Sequence, residues 1–189
     1  SKGNLQKMHD SLPERIYVPG TFRWGDVKLK NVGIRYKGNS SSRPEQRHKR
    51  SFLIKVNEFE KGTRFLGLRR IALDNGVQFG SLFSEPIITD ILRGEGIPAS
   101  RHNYARVFLN DKFIGVYGNV ERIDESFVAT HFPGKKGPLY KVHMPGPGAM
   151  LNYAGDDVNE YKKAFEPKTN AADKKYEELI ELFRDIELG

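Results

Sequence analysis

The sequence has 189 residues, a length that fits one domain or the larger part of a two-lobed one. Hydrophobic residues make up 38% and aromatic residues 11%, which is enough for a core and excludes a wholly disordered chain. No apolar run approaches the roughly 18 residues of a membrane span. The absence of cysteine excludes disulfides and thiolate metal sites. The first ten residues are polar, so we expect any export signal to have been removed or to lie outside this sequence.

The formal net charge of +7 is unevenly distributed along the sequence. Residues 23–70 contain 14 Lys or Arg against 4 Asp or Glu, whereas residues 156–189 contain 6 against 10. This asymmetry indicates an anionic partner for the first third of the chain. The alternative is that Lys and Arg only solvate the outer faces of strands, which is common in soluble proteins.

Two strands are predicted in the basic region, separated by a loop rich in Gly, Ser and Pro. Residues 26–37 alternate apolar and charged side chains with a break near Asn31, which predicts a bend or a bulge. Residues 51–57 form the second strand. Its alternation puts three apolar side chains on one face and two residues on the other, namely Phe52, Ile54 and Val56 against Leu53 and Lys55.

The middle of the sequence predicts a short strand, a helix and a hairpin. The strand is RRIALD, followed by an Asn-Gly turn. The helix lies in SLFSEPIITDILRGEG, with Ser84 as its N-cap and Pro86 in its first turn. The hairpin is YARVFLNDKFIGVYGNVE, because Asn110 and Asp111 tolerate the left-handed conformation of a tight turn. The helix carries an apolar stripe made of Ile87, Ile88, Ile91 and Leu92.

The remaining sequence predicts one short strand in GPLYKV and a C-terminal helix. In that helix Asn170 and Asp173 are spaced like a capping box, and the apolar positions are Tyr176, Leu179, Ile180 and Phe183. The order of elements predicts an α+β fold built on an antiparallel sheet.

Lys55 is the first candidate for a functional side chain. A lysine inside an apolar strand, after a loop containing Gly and Ser, can present a fixed cation to a phosphate, as the strand lysine of kinases does. The alternative is an edge-strand lysine that only discourages aggregation.

Two glutamates extend this hypothesis. Glu85 opens the predicted helix, where a carboxylate could hold the strand lysine, or could simply complement the helix dipole. Glu121 ends the second hairpin strand, where a kinase-like lobe would continue into its second lobe, or where a strand merely ends in a polar residue. The five histidines lack zinc-site spacing, and no P-loop, dinucleotide or hydrolase motif is present.

An ordered set of segments resembles the CotH family, the spore-coat protein H kinases, from about residue 26 to the C-terminus. The segments are VGIRYKGNSS, KRSFLIKVNEF, RFLGLRRIALDNG, SLFSEPIITDILRGEGIPA, YARVFLNDKFIGVYGNVERID, GPLYKV and YKKAFEPKTN. The resemblance implies a protein-kinase-like fold that binds ATP with Mg²⁺ or Mn²⁺ and phosphorylates secreted or surface proteins. It therefore implies an extracellular location or one on a cell or spore surface.

The resemblance also implies roles for individual residues and segments. It makes Lys55 the nucleotide-phosphate lysine, Glu85 the helix glutamate and Glu121 a residue of the adenine pocket. Residues 1–25 would be an N-terminal extension, 26–122 a nucleotide-binding N-lobe, and 123–189 a linker with the start of a mostly helical C-lobe. A phosphate-covering loop and one further pocket residue complete the implied cofactor-binding set, namely Arg35, Lys37, Gly38, Asn39 and Ser40, with Lys141.

The sequence departs from the family pattern in two places. Before the helix, where the family commonly has Asp-Pro-Ser-x-x-Arg-Glu, Phe79 and Ser84 replace the Asp and the Arg. No acidic residue, Asp156 and Asp157 included, matches the family's catalytic Asn-x-Asp or its metal-binding Asp-x-Asp. We therefore assign no catalytic residue and no metal ligand within the chain, and expect both motifs beyond residue 189.

Three functions follow from these observations. The first is the ATP-binding part of a CotH-like protein kinase, and the second is a non-catalytic surface or adhesion module, that is, a pseudokinase. Nucleic-acid binding by the basic region ranks last, because its loop lacks interleaved aromatic residues for base stacking.

Overall fold

The computed structural model describes residues 1–38, 42–77, 80–134, 137–142, 151–169 and 175–188. The chain divides into two units, which are residues 1–122 and residues 123–189. Each unit has its own hydrophobic core. Within the described residues, none of the helices combines the length and the apolar character that crossing a bilayer requires.

Six strands of the first unit form one antiparallel sheet in the order β1-β2-β3-β4-β6-β5. A single helix, α2, lies in the chain between β4 and β5, and α1 precedes the sheet. The elements are α1 (Lys2–Asp10), β1 (Val18–Trp24), β2 (Val27–Tyr36), β3 (Phe52–Lys55), β4 (Arg70–Asp74), α2 (Ser84–Gly94), β5 (His102–Leu109) and β6 (Lys112–Val120). Residues 1–24 thus contribute a helix and an edge strand to this unit.

The predicted break at Asn31 is a β-bulge. Gly20 on β1 lies opposite Val32, but Phe22 lies opposite Leu29, so β2 carries one extra residue between these pairs. Asn31 adopts a positive φ of 52°, a conformation that asparagine tolerates better than most residues. The bulge lets β2 run on to Tyr36 with its alternation restored.

The alternation predicted for the strand at 51–57 is confirmed. Phe52, Ile54 and Val56 lie in the hydrophobic core of the first unit, while Leu53 is buried on the opposite face and Lys55 is half-buried there. The core face also takes side chains from every other strand and from α1, including Met8, Val18, Val32, Tyr36, Ile71, Leu73 and Tyr117. We call the opposite face, which carries Arg35, Lys55 and Asp74, the polar face.

Helix α2 differs from its predicted form at its start. Ser84 is the first helical residue rather than the N-cap, and Phe83 occupies the cap position without a side-chain cap. The hydroxyl of Ser81 accepts the N–H of Phe83 instead (2.9 Å). The predicted apolar stripe is present, but its isoleucines are more than half exposed, at 57% for Ile87, 55% for Ile88 and 60% for Ile91.

The predicted hairpin is confirmed as β5 and β6, joined at Asn110 and Asp111. Both turn residues have positive φ, at 49° and 64°, as the tightest hairpin turn requires. Only the last residues of β6 pair with β4, from Gly118 to Val120, so the sheet joins the hairpin at its open end.

The second unit contains α3 (Glu125–His131), β7 (Tyr140–Val142), α4 (Val158–Ala164), β8 (Phe165–Pro167) and α5 (Tyr176–Leu188). Strands β7 and β8 pair in antiparallel fashion. The apolar positions predicted for the C-terminal helix are confirmed, since Tyr176, Ile180 and Phe183 lie in the core of this unit and Leu179 packs against it. The predicted capping box at Asn170 and Asp173 lies outside the described residues.

The fold is α+β, as predicted. An antiparallel sheet with one helix inserted before its last hairpin is consistent with the N-lobe of a protein kinase. The described residues of the second unit form three helices and the β7–β8 pair.

Leu53→Ala tests the burial of β3 on both faces. Leu53 is 1% exposed, so its truncation leaves a cavity and we expect the free energy of unfolding to fall by about 2–5 kcal/mol. Urea unfolding followed by circular dichroism measures the loss. The matched control is Leu66→Ala, which removes the same atoms from a side chain that is 74% exposed and should change stability by less than about 0.5 kcal/mol. Equal losses in the two variants would contradict the assigned burial.

Candidate functional site

The register of the sheet decides which side chains share the polar face. Arg35, Leu53, Ala72, Val120 and His102 are successive register partners from β2 to β5, and partners across an antiparallel pair point to the same side. Leu53 and Ala72 are both buried in the centre of this row. The row therefore has an apolar centre, a cation at one end and an imidazole at the other.

Three cations follow one another along the β2–β3 part of the polar face. Arg35 is near the end of β2, and Lys37 directly follows the strand, where its N–H continues the pairing with β3 by donating to the Ser51 carbonyl. The two residues are two apart, so they point to the same side. Lys55 joins them from β3, where its register partner is Gly33. We call Lys37, Arg35 and Lys55 the cation row. Of the residues predicted to bind phosphate, these are the ones that the structure brings together.

Tyr17 links two members of the cation row. The Arg35 guanidinium lies 5.2 Å from the centroid of the Tyr17 ring, and the Lys55 ammonium lies 5.7 Å from the same centroid. Such cation–π contacts restrict long, flexible side chains at a modest gain in free energy. Tyr17 directly precedes β1, so the first residues of the chain help to shape this part of the polar face.

Lys55 forms an ion pair with Glu58 at 2.5 Å, and both side chains are about three-quarters buried. Glu58 reaches this position by lying directly over Gly33. A Cβ at position 33 would come 2.6 Å from the Glu58 Cβ and 3.0 Å from the Tyr17 ring. Only glycine leaves room for the carboxylate beside Lys55 at this point of the sheet.

Lys37 forms an ion pair with Asp74, at the end of β4. The second oxygen of Asp74 accepts the backbone N–H of Gly76 (3.1 Å). Burial raises the pKa of Asp74, but the hydrogen bond and charge of Lys37, the N–H of Gly76 and the nearby His102 outweigh burial and lower it below its usual value. Asp74 is therefore a carboxylate at neutral pH.

Glu85 faces His102 rather than Lys55. Its carboxylate lies 3.8 Å from Nε2 of His102, on β5. The His102 side chain is only 4% exposed, and Nε2 has no hydrogen-bond partner within the described part of the chain. Because β3 and β5 are three strand spacings apart, about 14 Å separates Lys55 from the strand that Glu85 faces. The structure does not bring the predicted lysine and helix glutamate together.

Glu121 closes the open end of the β5–β6 hairpin. Its carboxylate accepts the backbone N–H of Arg101 (3.0 Å) and pairs with the Arg101 guanidinium (2.5 Å). The N–H of Glu121 donates to the Arg101 carbonyl (2.8 Å). The hydrogen bond to Glu121 raises the pKa of Arg101. These contacts join the chain segments on either side of the hairpin.

The other predicted site residues are scattered. Gly38 follows Lys37 with a φ of +90°, and its carbonyl accepts Nη1 of Arg15 (3.3 Å). Asn39 and Ser40 lie outside the described residues, as does Phe79. Lys141 is on β7 in the second unit, where its register partner is Glu166. In the part of the chain that the structure describes, no group of three or more His, Asp or Glu side chains could hold a metal ion.

Three residues that shape the site were not predicted from the sequence, namely Tyr17, Asp74 and His102. Asp74 carried a signal, because an acidic residue at the end of an otherwise apolar strand, directly before an Asn-Gly turn, indicates a placed carboxylate. His102 and Tyr17 carried no such signal, since only the strand order brings them onto the polar face.

Asp74→Asn tests the ion pair through its pH dependence. We expect the substitution to lower the free energy of unfolding at pH 7 by about 1–2 kcal/mol, because it removes the negative charge from the ion pair with Lys37. Folding lowers the pKa of Asp74. The ionised carboxylate therefore adds to the free energy of unfolding at any pH above its pKa in the unfolded chain, about 3.9. This stabilisation is lost as the pH falls through the lower pKa of the folded state. The difference between wild type and variant should therefore shrink below about pH 4.

Urea unfolding of both proteins from pH 7 down to pH 3 measures this difference. The exposed Asp26, in the β1–β2 turn, provides the control, and Asp26→Asn should leave the profile unchanged. A difference between Asp74→Asn and wild type that stays constant down to pH 3 would contradict an ionised, paired Asp74.

Comparison with known proteins places the chain in a family. The model of the CotH kinase protein family matches residues 34–188, which is more than half of the chain and includes every predicted site residue. No curated protein matches the sequence. Tyr17 and β1 precede the matched region. The chain belongs to the CotH kinase protein family.

Proposed function

We propose that the chain is the ATP-binding part of a CotH-like protein kinase that phosphorylates secreted or surface proteins. The observation that carries this proposal is the cation row, in which Lys37, Arg35 and Lys55 share one face of β2 and β3 beside Gly33 and Gly38. Membership of the family supports nucleotide and metal use in general. The acceptor protein, ATP as the nucleotide and a location on a cell or spore surface are parts of the proposal.

The residues present fit a polyphosphate. An ammonium on each side of a guanidinium offers three sets of N–H donors, and a planar guanidinium binds phosphate oxygens in pairs. Along β2, residues two apart are separated by about 7 Å. The side chains of the cation row are long enough to reach different oxygens of one polyphosphate. The row lies in the part of the sequence that has the excess of positive charge.

The apolar centre of the polar face suits the other end of the nucleotide. Leu53 and Ala72 are buried there, and Val120 continues the row toward the strand end at Glu121. We place the adenine near this strand end, where backbone groups of residues after β6 would be the hydrogen-bonding partners of the base. Glu121 would keep this segment in place through its contacts with Arg101.

A bound Mg²⁺ or Mn²⁺ would neutralise charge on the phosphates during transfer. No residue of this chain is proposed as a ligand of that metal ion or as the catalytic base. The role proposed for this chain is to bind the nucleotide. The cation row orients the phosphates, and Glu58 and Asp74 hold the two lysines of the row in place.

ATP binding is tested by thermal unfolding with MgATP and with adenosine. At a ligand concentration of about 100 times Kd, binding adds roughly 2.7 kcal/mol of stability, which raises Tm by about 5–10 °C in a chain of this size. We expect Lys55→Ala to reduce the MgATP-dependent rise in Tm and to leave any adenosine-dependent rise unchanged, because Lys55 contacts phosphate.

Lys28→Ala is the matched control, since Lys28 is an exposed lysine on β2 of the same sheet. Only the ligand-dependent change in Tm is compared, because Lys55→Ala also breaks the ion pair with Glu58. A folded wild-type protein whose Tm does not respond to any nucleotide would overturn the proposal. MgATP binding without phosphate transfer by the full-length protein would favour the non-catalytic surface module.

A further inference from the structure

The two lysines of the cation row have different carboxylate partners. Lys55 pairs with Glu58, three residues later in the same turn. Lys37 pairs with Asp74, which is 37 residues away in sequence and two strands away in the sheet. Glu85, the helix carboxylate expected beside a phosphate-binding lysine, faces His102 instead. The carboxylate that reaches the cation row from a distant part of the sequence is therefore Asp74, on the sheet, and not Glu85, on the helix.

We propose that Asp74 is a positioning residue that holds the Lys37 ammonium in place for the nucleotide phosphates. The inference rests on the proposed function. In this role Asp74, a residue at the end of a strand, does what a helix glutamate does in other kinases. The Lys37–Asp74 pair would then stay in place whatever the position of α2.

The register of the sheet supports this role. The N–H of Lys37 donates to the Ser51 carbonyl (3.0 Å), and Ser51 lies one residue before the Phe52–Leu73 pair, level with Asp74. Lys37 and Asp74 thus lie on either side of Ser51, and their backbones are two strand spacings apart, about 10 Å. To meet Asp74, the lysine side chain has to lie extended across β3, where Ser51 is small and only 2% exposed. An extended lysine of fixed direction is what a phosphate site requires.

Asp74 is itself fixed by a buried polar network. One of its oxygens accepts the N–H of Gly76, and the next residue, Asn75, is 4% exposed. The N–H of Asn75 donates to the Ser51 hydroxyl (2.9 Å), and its side-chain amide donates to the Lys49 carbonyl (2.6 Å). This network joins the end of β4 to the start of β3, so the carboxylate has little freedom to follow a mobile lysine.

The effect of removing the Asp74 charge on ATP binding distinguishes a positioning role from a purely electrostatic effect. A carboxylate next to a phosphate site repels the anion, so electrostatics alone predicts tighter ATP binding in Asp74→Asn. Positioning predicts weaker binding, because the Lys37 side chain loses its fixed direction. The two accounts differ in sign, and a merely structural ion pair would change adenosine and ATP binding alike.

The experiment is titration calorimetry of folded wild type, Asp74→Asn, Lys37→Met and the double variant with MgATP and with adenosine. We expect Asp74→Asn to weaken MgATP binding about tenfold, or about 1.4 kcal/mol, and to change adenosine binding less than twofold. In the Lys37→Met background the same substitution should have no further effect on MgATP, because the lysine that it positions is gone. Asp74→Glu should restore part of the lost affinity.

Three outcomes would overturn the inference: equal or tighter MgATP binding by Asp74→Asn, an equal loss for adenosine, or an undiminished loss in the Lys37→Met background. If Asp74→Asn does not fold, Asp74→Ser replaces it, since a serine hydroxyl can still accept the N–H of Gly76. If the wild-type protein does not bind MgATP, the proposed function itself is wrong. If the wild type binds MgATP and Asp74→Asn binds it equally well, only this inference is wrong.

Discussion

The burial of β3 on both faces is the constraint on which the rest of the first unit depends. Phe52 and Ile54 belong to the hydrophobic core, while Leu53 is buried on the opposite face, in a strand of only four residues. A strand buried on both sides lies inside a sheet, so β2 and β4 have to pair along its two edges. That pairing brings Arg35 and Lys37 to one side of β3 and Asp74 to the other.

The polar face is built from this placement. Long cationic side chains from β2 and β3 lie beside small or apolar residues of the same face, namely Gly33, Ser51 and Leu53. Each lysine of the cation row has a carboxylate next to it. A carboxylate beside a partly buried ammonium fixes the direction of the lysine side chain. The arrangement places charge at defined positions on the polar face, and the contacts with Lys37 and with the N–H of Gly76 lower the pKa of Asp74, so this carboxylate stays ionised at neutral pH.

Helix α2 stands apart from this site. Its isoleucines are largely exposed. Glu85 lies near His102 on β5, and Arg93 donates to the Ser100 carbonyl in the segment before β5. Just before the helix, the Leu82 carbonyl accepts the hydroxyl of Tyr104. In protein kinases the corresponding helix supplies the carboxylate for the phosphate-binding lysine. With Lys37–Asp74 on the sheet, placement of at least one cation does not depend on where α2 lies.

The sequence by itself determined much of the fold and the identity of the cations. Alternation identified β2, β3 and their faces, Asn110 and Asp111 identified the hairpin, and the ordered motifs identified the family, because these signals depend on neighbours in sequence. Only the tertiary structure decided which charges meet. The pairing of Lys37 with Asp74 and of Glu85 with His102 follows from strand order and register, which join residues far apart in the chain and which no local pattern encodes.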